Sequence, residues 1–242
     1  MACKMVPSVI TYNSLLRTKG KDYFSVNLST SGHVICGLNG KVEIWDPEKS
    51  EIKYSTGVEG NMYDIKEYGN HLYGALKHDD QLTIVRYGRQ LTTREDMVLI
   101  SYKASLLSQI DVRYGKIAVT DWDNKLIELY TTGGEFVRDV QLNNVKRLRG
   151  VRLIKDDCLL VSDMESHSVT KYRTDGSGNI VWRRDDRLQS PAGICVNEWG
   201  FIFVCCNAGD KIYLLSPGGN FPITLYQLTM RIVSLHDYVL RR

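Results

Sequence analysis

Residues 111–136 read DVRYGKIAVTDWDNKLIELYTTGGEF. DVR and KIAVT are short runs of the kind that form strands, and Tyr114–Gly115 stands between them as a turn. A polar loop, DWDN, separates KIAVT from a third run, KLIELY, and TTGGEF follows as a second turn. Gly-Gly and Asp-Gly pairs supply the positive φ angles that tight hairpins require. Period-2 runs cut by turn residues at short, regular intervals argue for β-structure throughout.

The KIAVT run recurs along the chain as HVICG (33–37), HLYGA (71–75), CLLVS (158–162), FIFVC (201–205) and YVLRR (238–242). The second residues of these runs are Val34, Leu72, Ile117, Leu159, Ile202 and Val239, spaced 38, 45, 42, 43 and 37 apart. A repeat of about 40 to 50 residues is the length of a four-stranded propeller blade. An alternating segment precedes each of the first five runs: YFSVNL, MYDIKEY, SQIDVRY, GVRLIK and AGICVNE. The third strands are KVEIW, QLTIV, KLIELY, SVTKY and KIYLL, and a more variable fourth strand closes each unit. No helical period of useful length is present.

This pattern predicts an all-β fold, a six-bladed β-propeller of four-stranded antiparallel blades in one domain over residues 1–242. Five complete blades fall at about 23–57, 62–105, 108–141, 150–184 and 192–227. The sixth is a composite of residues 6–20 and 231–242, closing the ring by pairing N- and C-terminal strands. Closure of that kind leaves only short protected edges.

Composition narrows the function classes. With 43% hydrophobic and 24% charged residues, the chain is an ordinary globular one and not a disordered tail. A net charge of +3 is too mild to mark a nucleic-acid binder by itself. No apolar run is long enough for a spanning helix, and the N-terminal stretch, broken by Pro7, does not read as a signal peptide. The expectation is a cytoplasmic protein with no membrane contact, monomeric as an isolated domain, its six cysteines present as thiols. Cys205 and Cys206 are adjacent and Cys195 stands alone, so zinc-ligand spacing is missing and no metal is expected.

SPAGICVNEWGFIFVCCNAGDKIYLLSPGGNF (190–221) resembles an NHL repeat: Pro-x-Gly, alternating apolar residues, a turn, an apolar run, an Asn-x-x-(Ile/Val)-like segment and a Gly turn with an aromatic. Residues 111–136 resemble it equally well, and 62–105 is the most diverged unit. The chain is thus similar to the C-terminal propellers of tripartite-motif (TRIM-NHL) ubiquitin ligases. The resemblance implies a substrate-recruiting module. Ubiquitin-ligase activity itself would need a RING domain, which this sequence does not contain, so the chain is read as non-enzymatic.

No Gly-x-Ser-x-Gly elbow, P-loop or His-Glu-x-x-His motif is present, and no cofactor is expected. Asp121, Asp123, Asn124, Asp163, Glu165 and Asn207 are oxygen donors on loops after second strands, so a calcium-dependent lactonase- or lyase-like enzyme is one alternative. Ordinary turn hydrogen bonding accounts for the same residues. In NHL propellers one face is built from these loops and from the connections into each first strand. Here that face would carry Tyr63, Lys77, His78, Trp122, Asn124, His167 and Asn207. Its sharpest signal is NNVKRLRG (143–150), where Lys146, Arg147 and Arg149 stand together, with Arg231 at the analogous place near the C-terminus. Such a cluster suits an acidic protein partner or a phosphate backbone, and Trp122 and Tyr63 offer stacking surfaces. The leading expectation is a protein-binding face; single-stranded RNA is the alternative partner.

Overall fold

The computed structural model describes residues 23–100, 108–208, 211–220 and 223–227. The first six strands are β1 (Tyr23–Leu28), β2 (Val34–Asp46), β3 (Glu51–Tyr68), β4 (His71–His78), β5 (Gln81–Gly88) and β6 (Arg94–Ile100). They form one sheet in the order β1-β2-β3-β4-β5-β6. Next come β7 (Ile110–Arg113), β8 (Lys116–Asp121), β9 (Leu126–Thr131) and β10 (Phe136–Gln141), then β11 (Leu148–Ile154), β12 (Cys158–Asp163), β13 (Ser168–Arg173) and β14 (Ile180–Arg184). The last set is β15 (Pro191–Val196), β16 (Ile202–Cys206), β17 (Lys211–Leu215) and β18 (Ile223–Gln227). Each of these three sets is a four-stranded antiparallel sheet in meander order. Among the described residues no helix is long and apolar enough to cross a membrane.

The described residues therefore form four blades, which corrects the six expected from the repeat. The two units placed at 23–57 and 62–105 share one sheet. β2 runs without a break from the second expected strand into the third: Leu28 to Tyr23 pair with Val34 to Leu38, and Lys41 to Asp46 pair with Gly57 to Glu51. β3 likewise runs from the fourth strand of one unit into the first of the next, so Asn61–Tyr63 lies inside a strand and not in a connection. Neither strand contains Pro to stop it. Gly37 permits the close approach of β2 to β3, because a Cβ there would sit 2.5 Å from the carbonyl oxygen of Met62. The composite blade of 6–20 with 231–242, and with it the ring closure, lies outside the described residues.

The three later sheets follow the local signals. Tyr114 (φ 54°) and Gly115 (φ 72°) are both left-handed, as a type I′ hairpin turn demands. Apolar side chains from facing sheets interlock between the blades. One cluster joins Ile127, Leu129 and Val140 to Leu153, Leu159, Val161 and Tyr172. A second joins Tyr73, Leu82 and Ile84 to Ile110, Ile117 and Tyr130. A third joins Leu160 and Val169 to Ile194, Ile202, Val204 and Tyr213. Cys36, Cys158, Cys195, Cys205 and Cys206 are free thiols, all buried.

Side-chain hydrogen bonds seam neighbouring first strands. Asn27 Nδ2 donates to the Ile65 carbonyl oxygen, the Ile110 N–H donates to Asp64 Oδ2 and the Leu153 N–H to Asp111 Oδ2. Between β11 and β15 the link is a relay. The Gly150 N–H donates to Ser162 Oγ, which donates to the Ala192 carbonyl oxygen. A Cβ on Gly150 would lie 2.5 Å from that carbonyl oxygen and 2.8 Å from Ser162 Oγ.

Two substitutions follow from this packing. Leu159→Ala, at a fully buried position, should lower the unfolding free energy by about 3 kcal/mol in urea titration. Gly150→Val should lower it by about 1–3 kcal/mol by forcing β11 and β15 apart.

Candidate functional site

The loops that follow the second strands meet the connections that lead into the first strands, and hydrogen bonds knit them into one surface. Asp163, at the end of β12, organises it. Its carboxylate accepts the N–H groups of Lys146 (2.7 Å) and Arg147 (2.9 Å) from the β10–β11 connection. It also accepts the N–H groups of Glu165 and Ser166 and the Ser166 hydroxyl from its own loop. The Met164 N–H donates back to the Arg147 carbonyl oxygen. Burial pushes the Asp163 carboxyl up, but the hydrogen bonds from Ser166 Oγ and from the Lys146, Arg147 and Ser166 amides outweigh it. The carboxyl is held below the usual range.

With its backbone fixed, the Arg147 side chain extends over Trp122, its guanidinium carbon 5.3 Å from the ring centroid. Trp122, on the β8–β9 loop, is half-buried against the Ala118–Tyr172 cluster. That packing presents one ring face as a platform for a cation. Asn124, on the same loop, is spent on structure: its N–H and its Nδ2 both donate to the buried Asp121. His167 Nδ1 accepts the Ser190 N–H at 3.0 Å, and the Ser190 carbonyl oxygen accepts the Asn207 N–H at 3.1 Å. Ser190 thereby joins the β12–β13 loop to the end of β16.

The structure thus brings together Trp122, Asn124, Lys146, Arg147, His167 and Asn207. Lys77 and His78 lie at the end of β4 in the six-stranded sheet. Tyr63 is buried and packs edge-on against Phe24, with ring centroids 5.0 Å apart, so it offers no stacking surface. Arg149 is buried as well, and burial, followed by the charge of Arg147, lowers its pKa. Arg231 lies outside the described residues. Of the calcium candidates, Asp121 and Asp163 are occupied by turn hydrogen bonds. Among the described residues no three His, Cys, Asp or Glu side chains gather as a metal site.

A second polar cluster escaped the sequence reading. Along the first strands, Asp64 Oδ1 accepts the Ser25 hydroxyl (2.8 Å) and lies 3.1 Å from Lys66 Nζ, which also donates to Asn27 Oδ1. Asp111 Oδ1 accepts Arg152 Nη1 at 2.8 Å, and Arg113 Nε lies 3.8 Å from its other oxygen. Burial lowers the pKa of Lys66 against the opposing pull of Asp64, and burial with Arg152 lowers that of Arg113. Burial also pushes the Cys195 thiol up to about 11, despite Arg152, Arg113 and Lys66 nearby. It is a protonated thiol at neutral pH and a poor nucleophile. The signal in the sequence was Asp-x-Lys at 64–66 and Asp-x-Arg at 111–113, charges on the alternate positions of inner strands. These groups pair with one another and with backbone amides, which is the chemistry of a structural staple.

No protein-family model matches the chain, and no curated protein does. Solved structures do. A streptogramin B lyase structure is 15% identical with a TM-score of 0.68, over 86% of this chain and 69% of that one. Virginiamycin B lyase from Staphylococcus aureus is 14% identical with a TM-score of 0.67, over 87% and 71%. The WD40 β-propeller domain of Doa1 is 12% identical with a TM-score of 0.65, over 85% and 68%. At such identities the likeness is one of fold: the chain is a β-propeller.

The depressed Asp163 carboxyl has a pH signature. A carboxylate whose folded pKa lies below its unfolded value stabilises the fold above that unfolded value, near 4, and loses its contribution as pH falls through the folded value. Asp163→Asn should therefore cost about 1–2 kcal/mol at pH 7. The difference from wild type should shrink below about pH 4, as followed by denaturant melts across pH.

Proposed function

We propose that this propeller is a non-enzymatic recognition module that binds a protein partner on the face built around Asp163. The observation that carries the reading is the Arg147–Trp122 stack. It is an exposed cation over a half-buried aromatic, fixed from below by a carboxylate that the backbone consumes. Pre-ordered aromatic and Arg pairs are the residues on which protein interfaces concentrate their energy. The buried, protonated thiols and the use of His167 as a backbone acceptor support the same reading over a catalytic one. In its finer form, the module is the substrate-recruiting part of a tripartite-motif-like ubiquitin ligase. That form draws on the resemblance of residues 111–136 and 190–221 to NHL repeats.

The test is crosslinking capture with the wild-type chain and with a Trp122→Ala/Arg147→Glu double variant. The double variant should lose the captured protein; its melting temperature should fall by several °C because half-buried Trp122 loses its core contacts. Arg147→Glu alone, at an exposed side chain, should lose capture with the melting temperature within about 3 °C of wild type. Equal capture by the wild type and the double variant would overturn the face as the binding surface. Crosslinks to single-stranded RNA in place of protein would replace the proposed partner.

A further inference from the structure

Lys146, Arg147 and Arg149 put three cations within four residues, and among the described residues no carboxylate pairs with any of their side chains. Asp163, at the end of β12, is the carboxylate that meets the backbone of that loop, and backbone amides and the Ser166 hydroxyl already occupy both of its oxygens. Arg147 rests on an aromatic ring instead of an acid. Arg149 is only 8% exposed, and its Nε has no hydrogen-bond partner among the described residues. The charge that acts on it is that of Arg147, which has the same sign. A guanidinium withdrawn from water without a counter-ion is a costly arrangement, and an arriving anion relieves it. The planar fork of Arg fits a carboxylate in bidentate fashion.

We infer that Arg149, with Arg147 and Lys146 beside it, anchors an anion site whose ligand is a carboxylate-rich segment of a protein partner. The inference rests on the protein-recognition reading of this face and names the chemistry of what it takes. The limited extent of the positive charge favours a peptide over a nucleic acid. Asp123 and Glu165 are exposed on the flanking loops. They would repel a phosphate backbone, which carries a charge at every step across the face, whereas a peptide can set its acidic side chains on the cluster and uncharged residues against Asp123 and Glu165.

The experiment is an anisotropy titration of the full chain with a labelled, C-terminally amidated dodecapeptide rich in Asp and Glu. A single-stranded RNA of equal charge is run in parallel. Wild type should bind the peptide, and binding should weaken with added salt. Arg149→Leu should weaken binding by about tenfold or more, as expected for a lost charge-assisted pair. It should also leave the melting temperature unchanged or raised, because it removes an uncompensated buried charge. A merely structural arginine would do the reverse. Should Arg149→Leu fail to fold, Arg149→Lys decides: it keeps the charge and loses the fork, and a loss of about fivefold is expected. Unchanged affinity in both Arg149 variants overturns the anchor. It leaves the face reading standing if the Trp122/Arg147 variant still loses its captured partner. A wild-type chain that ignores the peptide overturns the acidic ligand. RNA bound more tightly than the peptide, in an Arg149-dependent way, overturns its class.

Discussion

Carboxylates that reach across the seams between blades hold this propeller together. Asp64 takes the amide of Ile110 and Asp111 takes that of Leu153, each from the next sheet. Their other oxygens are matched by Lys66 and Arg152. All four side chains are almost wholly buried, so each charge depends on its partner. Removing one member of such a pair costs about 3–5 kcal/mol, because the other is stranded. A polar staple of this kind adds directional, one-to-one pairing to the apolar clusters that interlock between the blades.

That pairing carries through to the candidate face. Because β7, β11 and β15 sit side by side, the connections that enter them arrive next to the loops of the neighbouring blade. Arg147, which comes before β11, therefore reaches Trp122 on the β8–β9 loop, and Ser190, before β15, reaches His167 on the β12–β13 loop. Asp163 then converts proximity into order by binding two loops through their backbones. The carboxylate used in this way makes no ion pair with the side chains of Lys146, Arg147 or Arg149. Stability of the loop and availability of its charge thus have one cause.

The sheets of residues 108–227 were legible because their cues are local: strand period, and turn pairs such as Tyr114–Gly115. The merging of 23–57 with 62–105 was not. Whether a chain continues or turns at Asn39–Gly40 depends on what lies against it, and here that is β3, with Met62 against Gly37. The candidate face was half legible. Trp122, Lys146, Arg147, His167 and Asn207 converge as their loop positions suggested. Tyr63 and Arg149 read as groups of the face from their place in the connections into first strands, yet both are buried. At Arg149 the ladder between β11 and β12 is irregular from Leu148 to Val151, and alternation does not tell which way a side chain turns through a bulge.

The sequence by itself determined an all-β chain with repeating units, cysteines without zinc-ligand spacing and one basic loop, because period, turn chemistry and charge are properties of neighbours in the chain. Tertiary structure alone decided that four sheets form among the described residues, that Asp64 meets the Ile110 amide and Asp111 meets Arg152, and that Asp163 is used by the backbone. Those outcomes depend on contacts between residues some 17 to 46 positions apart, and no local pattern encodes which distant amide or guanidinium a carboxylate will meet.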